Sequence, residues 1–558
     1  MKIHKILCIL LCATFIFAPI ITLAEGEYTM NDSKFYKSLA KSESEYIQKV
    51  MLSNGALPMN PVSVTNDFAS KDLPDINGIP DETYKTWKCG KIMPYFSESA
   101  ILGILEAAPE TSKETVEKFI NWYFDNLNTA ETDLYGVDGT IYDYYVFVDP
   151  NDSSKIVQIS LHEMHKDEYP NQKDNPNDYD STDSYAALFV RILYDYYQTY
   201  GESDLFVDRK ADVDRVLNAL FSTYVDKIDL TYAKPSYKVC YLMDNCEVYN
   251  GLVAAAALYD AVYNDQTKSA ELAEYADKVD AALEKYMWDE KAGAYYYGIF
   301  ADGKSIDEVT PENLQQFYPH ATAQLFPIMF GLLDDNADRA TMIYEKFNSN
   351  FGQKGVAGKD WAVIDKSDVY PWCTIARAAV AVGDYERTDR FLETLKNKFI
   401  MQAHKYPYYT GEAGQALIAI NAMLTPVELL GVENEVLTAD VGDEIELGAL
   451  LFPESADAGR LNISIKDNTI VEFDKSDAKL KALKAGQTEI TLTLNETSFD
   501  IVLNVKDTTA TSGTASEVSN GKSKNDNKNT LYAVIAGIGA AVIGTIAVIT
   551  FKKSKKKK

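Results

Sequence analysis

A carboxylate follows a tyrosine by three positions at two distant places in the chain. Tyr95 precedes Glu98 in MPYFSESA, and Tyr409 precedes Glu412 in YYTGEAGQ. A carboxyl group can donate or accept a proton, and an aromatic ring can cover the apolar face of a bound ligand. Both pairs stand beside small, apolar runs with helical spacing. The repeat therefore indicates that helix starts in this chain carry groups suited to acid and base chemistry.

Four further helix starts combine aromatic and polar side chains in the same way. An acid at a helix start also binds free backbone N–H groups, and such capping contributes about 1 kcal/mol. Capping alone does not explain why an aromatic accompanies the polar group at all six starts. The four starts are YDSTDSYA with Asp180 and Asp183, MDNCEVYNG with Asp244 and Glu247, FYPHATAQ with His320, and DVYPWCTIA with Asp368, Tyr370 and Trp372.

Apolar periodicity and helix breakers predict about a dozen helices before residue 427. Their ranges are near 32–52, 94–108, 111–128, 181–201, 204–225, 246–264, 267–288, 318–333, 335–351, 368–384, 385–402 and 410–424. Two kinds alternate: the run 267–288 has one apolar stripe, whereas VYNGLVAAAALYDAVY is apolar and small nearly all round. Six alternations predict a mainly α fold, an (α/α)6 toroid of six helical hairpins. Its inner helices run in one direction, so their starts converge and line a cleft.

The helical region resembles the six-hairpin (α/α)6 glycosidase superfamily over roughly residues 30–425. The resemblance implies a glycoside hydrolase, in which one carboxyl protonates the leaving oxygen and a second activates water or attacks the anomeric carbon. In glucoamylase-like members the acid begins the third inner helix and the base the sixth, which implies Glu247 or Asp244 as acid and Glu412 as base. DSTDSY is similar to the Thr-Asp-Ala-Asp element of family 8 glycosidases, which implies Asp183 as a substrate-binding or water-orienting group and Glu98 as an alternative acid.

The remaining groups at the helix starts are expected to hold a sugar. Ring faces cover the apolar side of a pyranose and leave its hydroxyls to acids and amides. The expected substrate-binding residues are Tyr95, Glu98, Asp180, Asp143, His320, Tyr370, Trp372 and Tyr409. Asp143 lies in VDGTIYDYYVFVDPNDSSKIVQISLHEM, whose alternation predicts a β-hairpin between the first two helical hairpins. This hairpin either walls the cleft or decorates the surface.

Two other functions remain open. A non-catalytic, carbohydrate-binding surface protein also accounts for the acids and rings. A polysaccharide lyase is less favoured: His320 is placed to abstract a proton, yet no cluster of Arg or Lys stands at the helix starts to recognise a uronate. The formal net charge of -29 argues against nucleic acid as a partner.

We expect no cofactor. DNPNDYDSTD is rich in oxygen ligands for Ca²⁺ but lacks the Gly and Glu of an EF-hand loop. Zinc at Cys240, Cys246 and His320 is disfavoured because no C-x2-4-C pair is present. Outside the cell, these two cysteines with Cys89 and Cys373 would permit disulfides.

The sequence changes character on either side of the helical region. KLKALKAGQTEITLTL and VGDEIELGALLFP resemble the bacterial Ig-like group 2 domain. The Lys-rich end after an apolar span places the rest of the chain outside by the positive-inside rule. We expect a monomeric, single-pass cell-membrane protein that faces outward. Its segments are a signal peptide at 1–24, the toroid at 25–427, the Ig-like domain at 428–507, a flexible linker at 508–530, a transmembrane helix at 531–551 and a cytoplasmic tail at 552–558.

Overall fold

The computed structural model describes residues 28–507, apart from 66, 170, 176, 367–368, 431–435, 476 and 496. The predicted signal peptide, linker, transmembrane helix and cytoplasmic tail lie outside these residues, as does Asp368. Within the described part, no helix combines the length and apolar character that a membrane crossing requires. The described chain is mainly helical and ends in a β-rich module.

Most of the predicted helices are found within a few residues of their expected ends. The helices of the described chain are α1 (Ser33–Val50), α2 (Asp81–Tyr84), α3 (Pro94–Ala107), α4 (Pro109–Asp125), α5 (Leu161–Met164), α6 (Thr182–Tyr200), α7 (Lys210–Phe221), α8 (Leu242–Ala261), α9 (Gln266–Ala282), α10 (Phe326–Met329), α11 (Ala337–Phe351), α12 (Cys373–Ala381), α13 (Tyr385–Lys398) and α14 (Thr410–Leu424).

Three predicted helices are shorter than expected. The range 204–225 narrows to α7, which follows a 3-10 turn at Val207–Arg209. The range 318–333 is broken into a π-helical turn, Phe317–Ala321, and the single turn α10. Pro327 accounts for part of the break, because proline has no N–H to donate to the carbonyl four residues earlier. The range 368–384 becomes helical only at Cys373, since Trp372 has a φ of 59° and lies in the left-handed region.

Six inner helices form a closed ring. Around the ring, α3 contacts α6, α6 contacts α8, α8 contacts α10, α10 contacts α12, α12 contacts α14, and α14 contacts α3. Outer helices pack against them: α4 on α3, α7 on α6, α9 on α8, α13 on α12 and α1 on α14. This order of contacts is the one predicted for a ring of alternating hairpins. It brings the six helix starts to the same face.

Glycines allow the first and last inner helices to pack backbone against backbone. A Cβ added to Gly414 would lie 2.0 Å from the carbonyl oxygen of Ser99, and one added to Gly103 would lie 2.3 Å from the carbonyl oxygen of Gly414. Side chains larger than hydrogen cannot occupy either position without moving a helix. The close approach of α3 and α14 sets the starts that carry Tyr95 and Glu412 side by side.

Two buried carboxylates fasten the outer wall where the ring closes. Asp389 of α13 accepts hydrogen bonds from the hydroxyl of Tyr28 at 2.7 Å and from Asn31 Nδ2 at 2.9 Å. Glu43 of α1 accepts one from the hydroxyl of Tyr408 at 2.5 Å. These bonds join the first described residues to the last hairpin.

The predicted β-hairpin is confirmed and belongs to a larger sheet. It is an antiparallel pair in which Phe147 lies opposite Val157, and it continues a four-stranded sheet in the order β1-β2-β3-β4. The last residue before the hairpin, Asp143, lies close to the start of α6 through its N–H bond to the carbonyl of Asp178. The strands of the helical region are β1 (Ser63–Val64), β2 (Lys88–Ile92), β3 (Tyr144–Asp149), β4 (Asp152–Ser160), β5 (Tyr224–Val225), β6 (Leu230–Thr231), β7 (Val239–Tyr241), β8 (Trp288–Asp289), β9 (Ala294–Tyr295) and β10 (Gly298–Phe300).

The C-terminal β module has two sheets around its own apolar core. One sheet has the order β12-β19-β18-β15 and the other β13-β17-β16, while β11 pairs with β14 beside them. Its relationship to the bacterial Ig-like domain stays a prediction. The strands are β11 (Glu428–Leu429), β12 (Val436–Asp440), β13 (Glu444–Glu446), β14 (Leu451–Phe452), β15 (Asn462–Ile465), β16 (Val471–Asp474), β17 (Lys479–Ala482), β18 (Gly486–Leu494) and β19 (Thr497–Lys506).

The β module is bonded to the end of the ring opposite the six helix starts. The N–H of Asp457 donates to the carbonyl of Leu424, the last residue of α14, at 2.9 Å. Arg460 donates to Thr425 Oγ1 at 2.7 Å and to Asn421 Oδ1 at 2.9 Å. The module therefore covers the C-terminal end of α14 and leaves the face with the helix starts uncovered by these contacts.

Candidate active site

Glu247 links the starts of the first and third inner helices. Because α8 begins at Leu242, both Asp244 and Glu247 lie within its first two turns. The Glu247 side chain is buried, and its Oε1 accepts a hydrogen bond from the hydroxyl of Tyr95 at 2.8 Å. Tyr95 belongs to α3, so this bond fixes the carboxyl from across the ring.

The surroundings of Glu247 favour its protonated form. Burial raises its pKa to about 8, and the negative charge of Asp183 adds to the shift. The hydroxyls of Ser184 and Tyr95 and the positive charge of Arg377 oppose it. Since the charged form of a buried carboxyl loses its hydration, a pKa near 8 keeps this group protonated at neutral pH. Glu247 is therefore suited to donate a proton.

Glu412, at the start of α14, has a different environment. Its Oε1 accepts from the hydroxyl of Tyr370 at 2.8 Å, and its Oε2 accepts from the backbone N–H of Cys373 at 2.7 Å. Cys373 is the first residue of α12, so Glu412 caps the neighbouring helix instead of its own. Burial raises the pKa of Glu412, and these two hydrogen bonds oppose the shift. Both bonds stabilise the ionised form, which is the form a base needs.

Asp183 and Asp244 form a second acidic pair bridged by a serine. Asp183 is buried and accepts from Ser181 Oγ at 2.6 Å, from the N–H of Ser184 at 2.9 Å and from Thr231 Oγ1 at 2.6 Å. The same Ser181 Oγ lies 3.4 Å from Asp244 Oδ2. Burial raises the pKa of Asp183 to about 6, and burial together with neighbouring acids raises that of Asp244 well above its usual value.

Glu98 is buried without a hydrogen-bond partner in the described part of the chain. It is fully buried, and neither carboxylate oxygen has a hydrogen-bond partner among the described residues. Burial and the negative charge of Glu247 raise its pKa well above the ordinary value, while the nearby hydroxyl of Tyr123 works against this shift. Its burial and its lack of donors in the described chain therefore favour the protonated form of Glu98 and leave it inaccessible to a ligand.

Asp143 and Asp180 meet at the start of α6. Asp143 is buried and accepts from the hydroxyl of Tyr185 at 2.8 Å. The N–H of Asp180 donates to that same hydroxyl oxygen at 3.3 Å. Burial, and next the charge of Asp180, raise the pKa of Asp143 to about 7. Of the two, only the Asp180 side chain is exposed to a ligand.

The expected aromatic residues lie in contact around Glu412. The Tyr370 and Tyr409 ring centroids are 5.7 Å apart, and those of Tyr370 and Trp372 are 5.1 Å apart. Two rings that were not expected extend this group: Tyr318 lies 5.2 Å from Trp372, and Tyr406 lies 6.0 Å from Tyr409. A signal for both was present in the sequence, since each precedes a proline beside one of the helix starts.

His320 is separate from the acidic groups. Its buried ring lies 4.5 Å from that of Tyr297, and its Nε2 lies 3.5 Å from Asp307 Oδ2. Burial lowers its pKa. Within the described chain no hydrogen bond or ion pair joins His320 to Glu247 or Glu412.

The residues considered as metal ligands do not form a site. Across the described ranges, no three His, Cys, Asp or Glu side chains are grouped closely enough to hold a metal ion. Cys240, Cys246, Cys89 and Cys373 are buried free thiols. In the acidic loop before α6, Asp178 is paired with Lys234 Nζ at 2.8 Å instead.

Comparison with known proteins gives matches at the level of structure. No model of a known protein family matches the sequence, and no curated protein matches it. A solved glycosidase has a TM-score of 0.43 at 12% identity and covers 70% of this chain and 97% of its own. A GH63 mannosylglycerate hydrolase from Thermus thermophilus has a TM-score of 0.42 at 12% identity, over 69% of this chain and 99% of its own. An alpha-amylase from Clostridium perfringens has a TM-score of 0.40 at 11% identity, over 69% and 97%. At this similarity none of their activities or residue roles is transferred here.

Proposed function

We propose that this protein is a glycoside hydrolase in which Glu247 is the general acid and Glu412 the general base. One observation carries the proposal: two buried carboxyls at starts on the same face have contrasting environments. Glu247 has a pKa raised to about 8, whereas Glu412 binds a backbone N–H and a tyrosine hydroxyl. Burial raises the pKa of both carboxyls, but at Glu412 a backbone N–H and a tyrosine hydroxyl oppose the rise. Acid and base roles require this kind of contrast, in which one carboxyl is favoured in its protonated form and the other has donors that stabilise its anion.

The proton transfers follow from these contacts. The hydroxyl of Tyr95 donates to Oε1 of Glu247, which leaves Oε2 to carry the acidic proton. That proton passes to the glycosidic oxygen as the bond to the anomeric carbon breaks. Glu412 removes a proton from the attacking water, and solvent then restores both groups. Asp183 and Asp244 border the same starts and are proposed to hold substrate hydroxyls or the water.

A neutral oligo- or polysaccharide is the proposed substrate. The helix starts are rich in acids, and no cluster of Arg or Lys stands among them to pair with the charge of a uronate or a phosphate. We also propose, from the sequence, that the chain is monomeric, exported and held at the cell membrane by residues 531–551, with the ring facing outward.

The test is the release of new reducing ends from a panel of neutral glycans by the intact chain and by single variants. We expect Glu247→Gln and Glu412→Gln each to lower kcat/KM by about 10²- to 10⁴-fold, the range for loss of a general acid or base. Glu106→Gln is the matched control, because Glu106 lies near the opposite end of α3 and bonds to Asn421. Turnover that survives both changes would contradict the assignment and direct attention to Glu98 and Asp183.

A second candidate function is carbohydrate binding without cleavage. It is favoured by the fact that both oxygens of Glu412 already have protein donors. Glycan binding by the wild-type chain, with no reducing ends released from any member of the panel, would support it. A lyase reaction through His320 has weaker support, since that ring faces Asp307.

A further inference from the structure

Five aromatic rings form a continuous row across the face that carries the helix starts. Each ring contacts the next, with centroid distances of 6.0, 5.7, 5.1 and 5.2 Å. We call this row the aromatic arc. Its members, in spatial order, are Tyr406, Tyr409, Tyr370, Trp372 and Tyr318.

The two ends of the arc are exposed, whereas its middle is partly buried. Tyr406 is 76% exposed and Tyr318 is 56% exposed. A single exposed tyrosine needs no explanation, but here two of them end one row that passes over a candidate catalytic carboxyl. Tyr370 in the middle donates its hydroxyl to Glu412 at 2.8 Å. The arc therefore continues on both sides of the ring that binds Glu412.

The middle of the arc is held firmly in place. Trp372 has a φ of 59°, a backbone conformation that costs energy for a bulky residue and persists only where its surroundings enforce it. The next residue, Cys373, gives its N–H to Glu412 at 2.7 Å. One carboxylate thus fixes both the hydroxyl of Tyr370 and the backbone that follows Trp372. Rings held in this way bind a ligand with little loss of conformational entropy.

The groups beside the arc favour a hydroxylated ligand over an apolar one. Asp180 has an exposed side chain at the start of α6, and Glu412 accepts a hydrogen bond from Tyr370 in the middle of the arc at 2.8 Å. Tyrosine hydroxyls and carboxylates next to ring faces match a ligand with apolar faces and polar edges. An aliphatic peptide would instead leave the carboxylates without partners.

We propose that the aromatic arc binds successive units of an extended neutral glycan, with Tyr406 and Tyr318 contacting units on either side of the bond cleaved near Glu412. The distances between neighbouring ring centroids are similar to the length of one pyranose unit. Five rings in a row are therefore longer than a single sugar. This inference rests on the proposed function. It makes the substrate a chain bound along its length, not a single terminal sugar.

The test measures binding separately from turnover. The full-length chain carrying Glu247→Gln is run in native gels that contain starch, xylan, mixed-linkage β-glucan or mannan. We expect retardation by at least one polysaccharide, and Tyr406→Ala or Tyr318→Ala in this background should weaken it about 2- to 10-fold, the loss expected from one aromatic contact. Tyr406→Phe and Tyr318→Phe keep the ring and should retain the retardation. Phe300→Ala is the matched control, because Phe300 is 47% exposed on β10 and lies outside the arc.

Each outcome bears on one proposal or on both. Retardation that depends on Tyr406 and Tyr318, without turnover by the wild-type chain, would uphold the arc and overturn the hydrolase. Turnover of short aryl glycosides, with no retardation and no rise of kcat/KM with chain length, would uphold the hydrolase and overturn the arc. Retardation unchanged in both alanine variants would also overturn the arc, and neither binding nor turnover would overturn both.

Discussion

The two ends of the inner helices have opposite characters. At the N-terminal end, acids with raised pKa values, such as Glu98 and Glu247, lie buried without cationic partners at ion-pair distance among the described residues. Toward the other end, charged groups have partners: Arg191 in the middle of α6 binds Asp195 at 2.6 Å, and Glu106 near the end of α3 accepts a hydrogen bond from Asn421 at 3.0 Å. The same helices thus carry reactive groups at one end and stabilising contacts at the other.

Helix polarity explains which charge lies at which end. Free N–H groups and the positive end of the dipole favour carboxylates at the starts, as in the bond from Cys373 to Glu412. Free carbonyls favour cations, as at the last residue of the short helix α10, where Arg377 from the middle of α12 donates to the carbonyl of Met329 at 2.8 Å. The ring therefore gathers acids at one face because its inner helices share a direction.

The largest expected effect is on the pH dependence of stability. The pKa of Glu247 is raised from 4.5 to about 8 in the folded chain, so its contribution is fully present below pH 4.5 and is lost as pH rises through 8. Glu247→Gln removes this loss and should raise the free energy of unfolding by roughly 4–5 kcal/mol at pH 8.5, with little effect at pH 4.5.

Urea unfolding of wild type and variant at both pH values measures this difference. Glu45→Gln is the control, because Glu45 lies on α1 with a side chain 67% exposed. Asp183 and Asp143, with pKa values raised to about 6 and about 7, add to the same downward slope in both proteins. Equal stability of Glu247→Gln and wild type at pH 8.5 would show that the acidic end costs no stability.

A smaller effect is expected from an arginine that lies between the two ends. Arg377 donates to Gln415 and to Met329, and no carboxylate in the described ranges lies within ion-pair distance of it. The groups that face it are Glu106 and Tyr95 of α3, Arg191 of α6 and Glu247 of α8. Its positive charge lowers the pKa of Glu247, so its removal should raise that pKa.

Arg377→Gln is therefore expected to move the basic limb of kcat/KM to higher pH. The shift should be smaller than the roughly 1–3 units that a cation at 4–6 Å produces. Arg191→Gln serves as the comparison, because Arg191 is already paired with Asp195. Arg377 would have a purely structural role if the basic limb of the kcat/KM profile moved equally in both variants. The same conclusion would follow if Arg377→Gln lowered the free energy of unfolding without moving that limb.

The smallest effect is expected at the bond between ring and β module. Arg460→Ala removes hydrogen bonds to Thr425 and Asn421 and should lower the free energy of unfolding by about 1 kcal/mol without changing kcat/KM. The control is Lys466→Ala, which breaks an exposed ion pair with Glu489 in the β module. It should change the free energy of unfolding by less than about 0.5 kcal/mol. Lower kcat/KM in Arg460→Ala would mean that the two ends are coupled.

The ring was predictable because its signal is local. Alternation of one-stripe and all-apolar helices follows from 3.6-residue spacing, and the prediction failed mainly at 318–333, where Pro327 interrupts the helix. The bond from Tyr95 to Glu247 was not predictable, since it joins residues 152 positions apart and depends on the curvature of the ring. The bond from the N–H of Cys373 to Glu412 was also not predictable. Capping rules concern residues of one helix, and these two residues belong to different helices.

Ring closure also determines when this chain can finish folding. The bond from Tyr28 to Asp389 spans 361 positions, and that from Tyr408 to Glu43 spans 365. A chain made or exported from its N-terminus cannot form either bond until the sixth hairpin has emerged. Contacts of such long range make folding slow and leave α1 without its bonds to the last hairpin until synthesis is nearly complete. Among the described helices, α1 is thus made first but secured last, which leaves it open to chaperones and proteases in the unfinished chain.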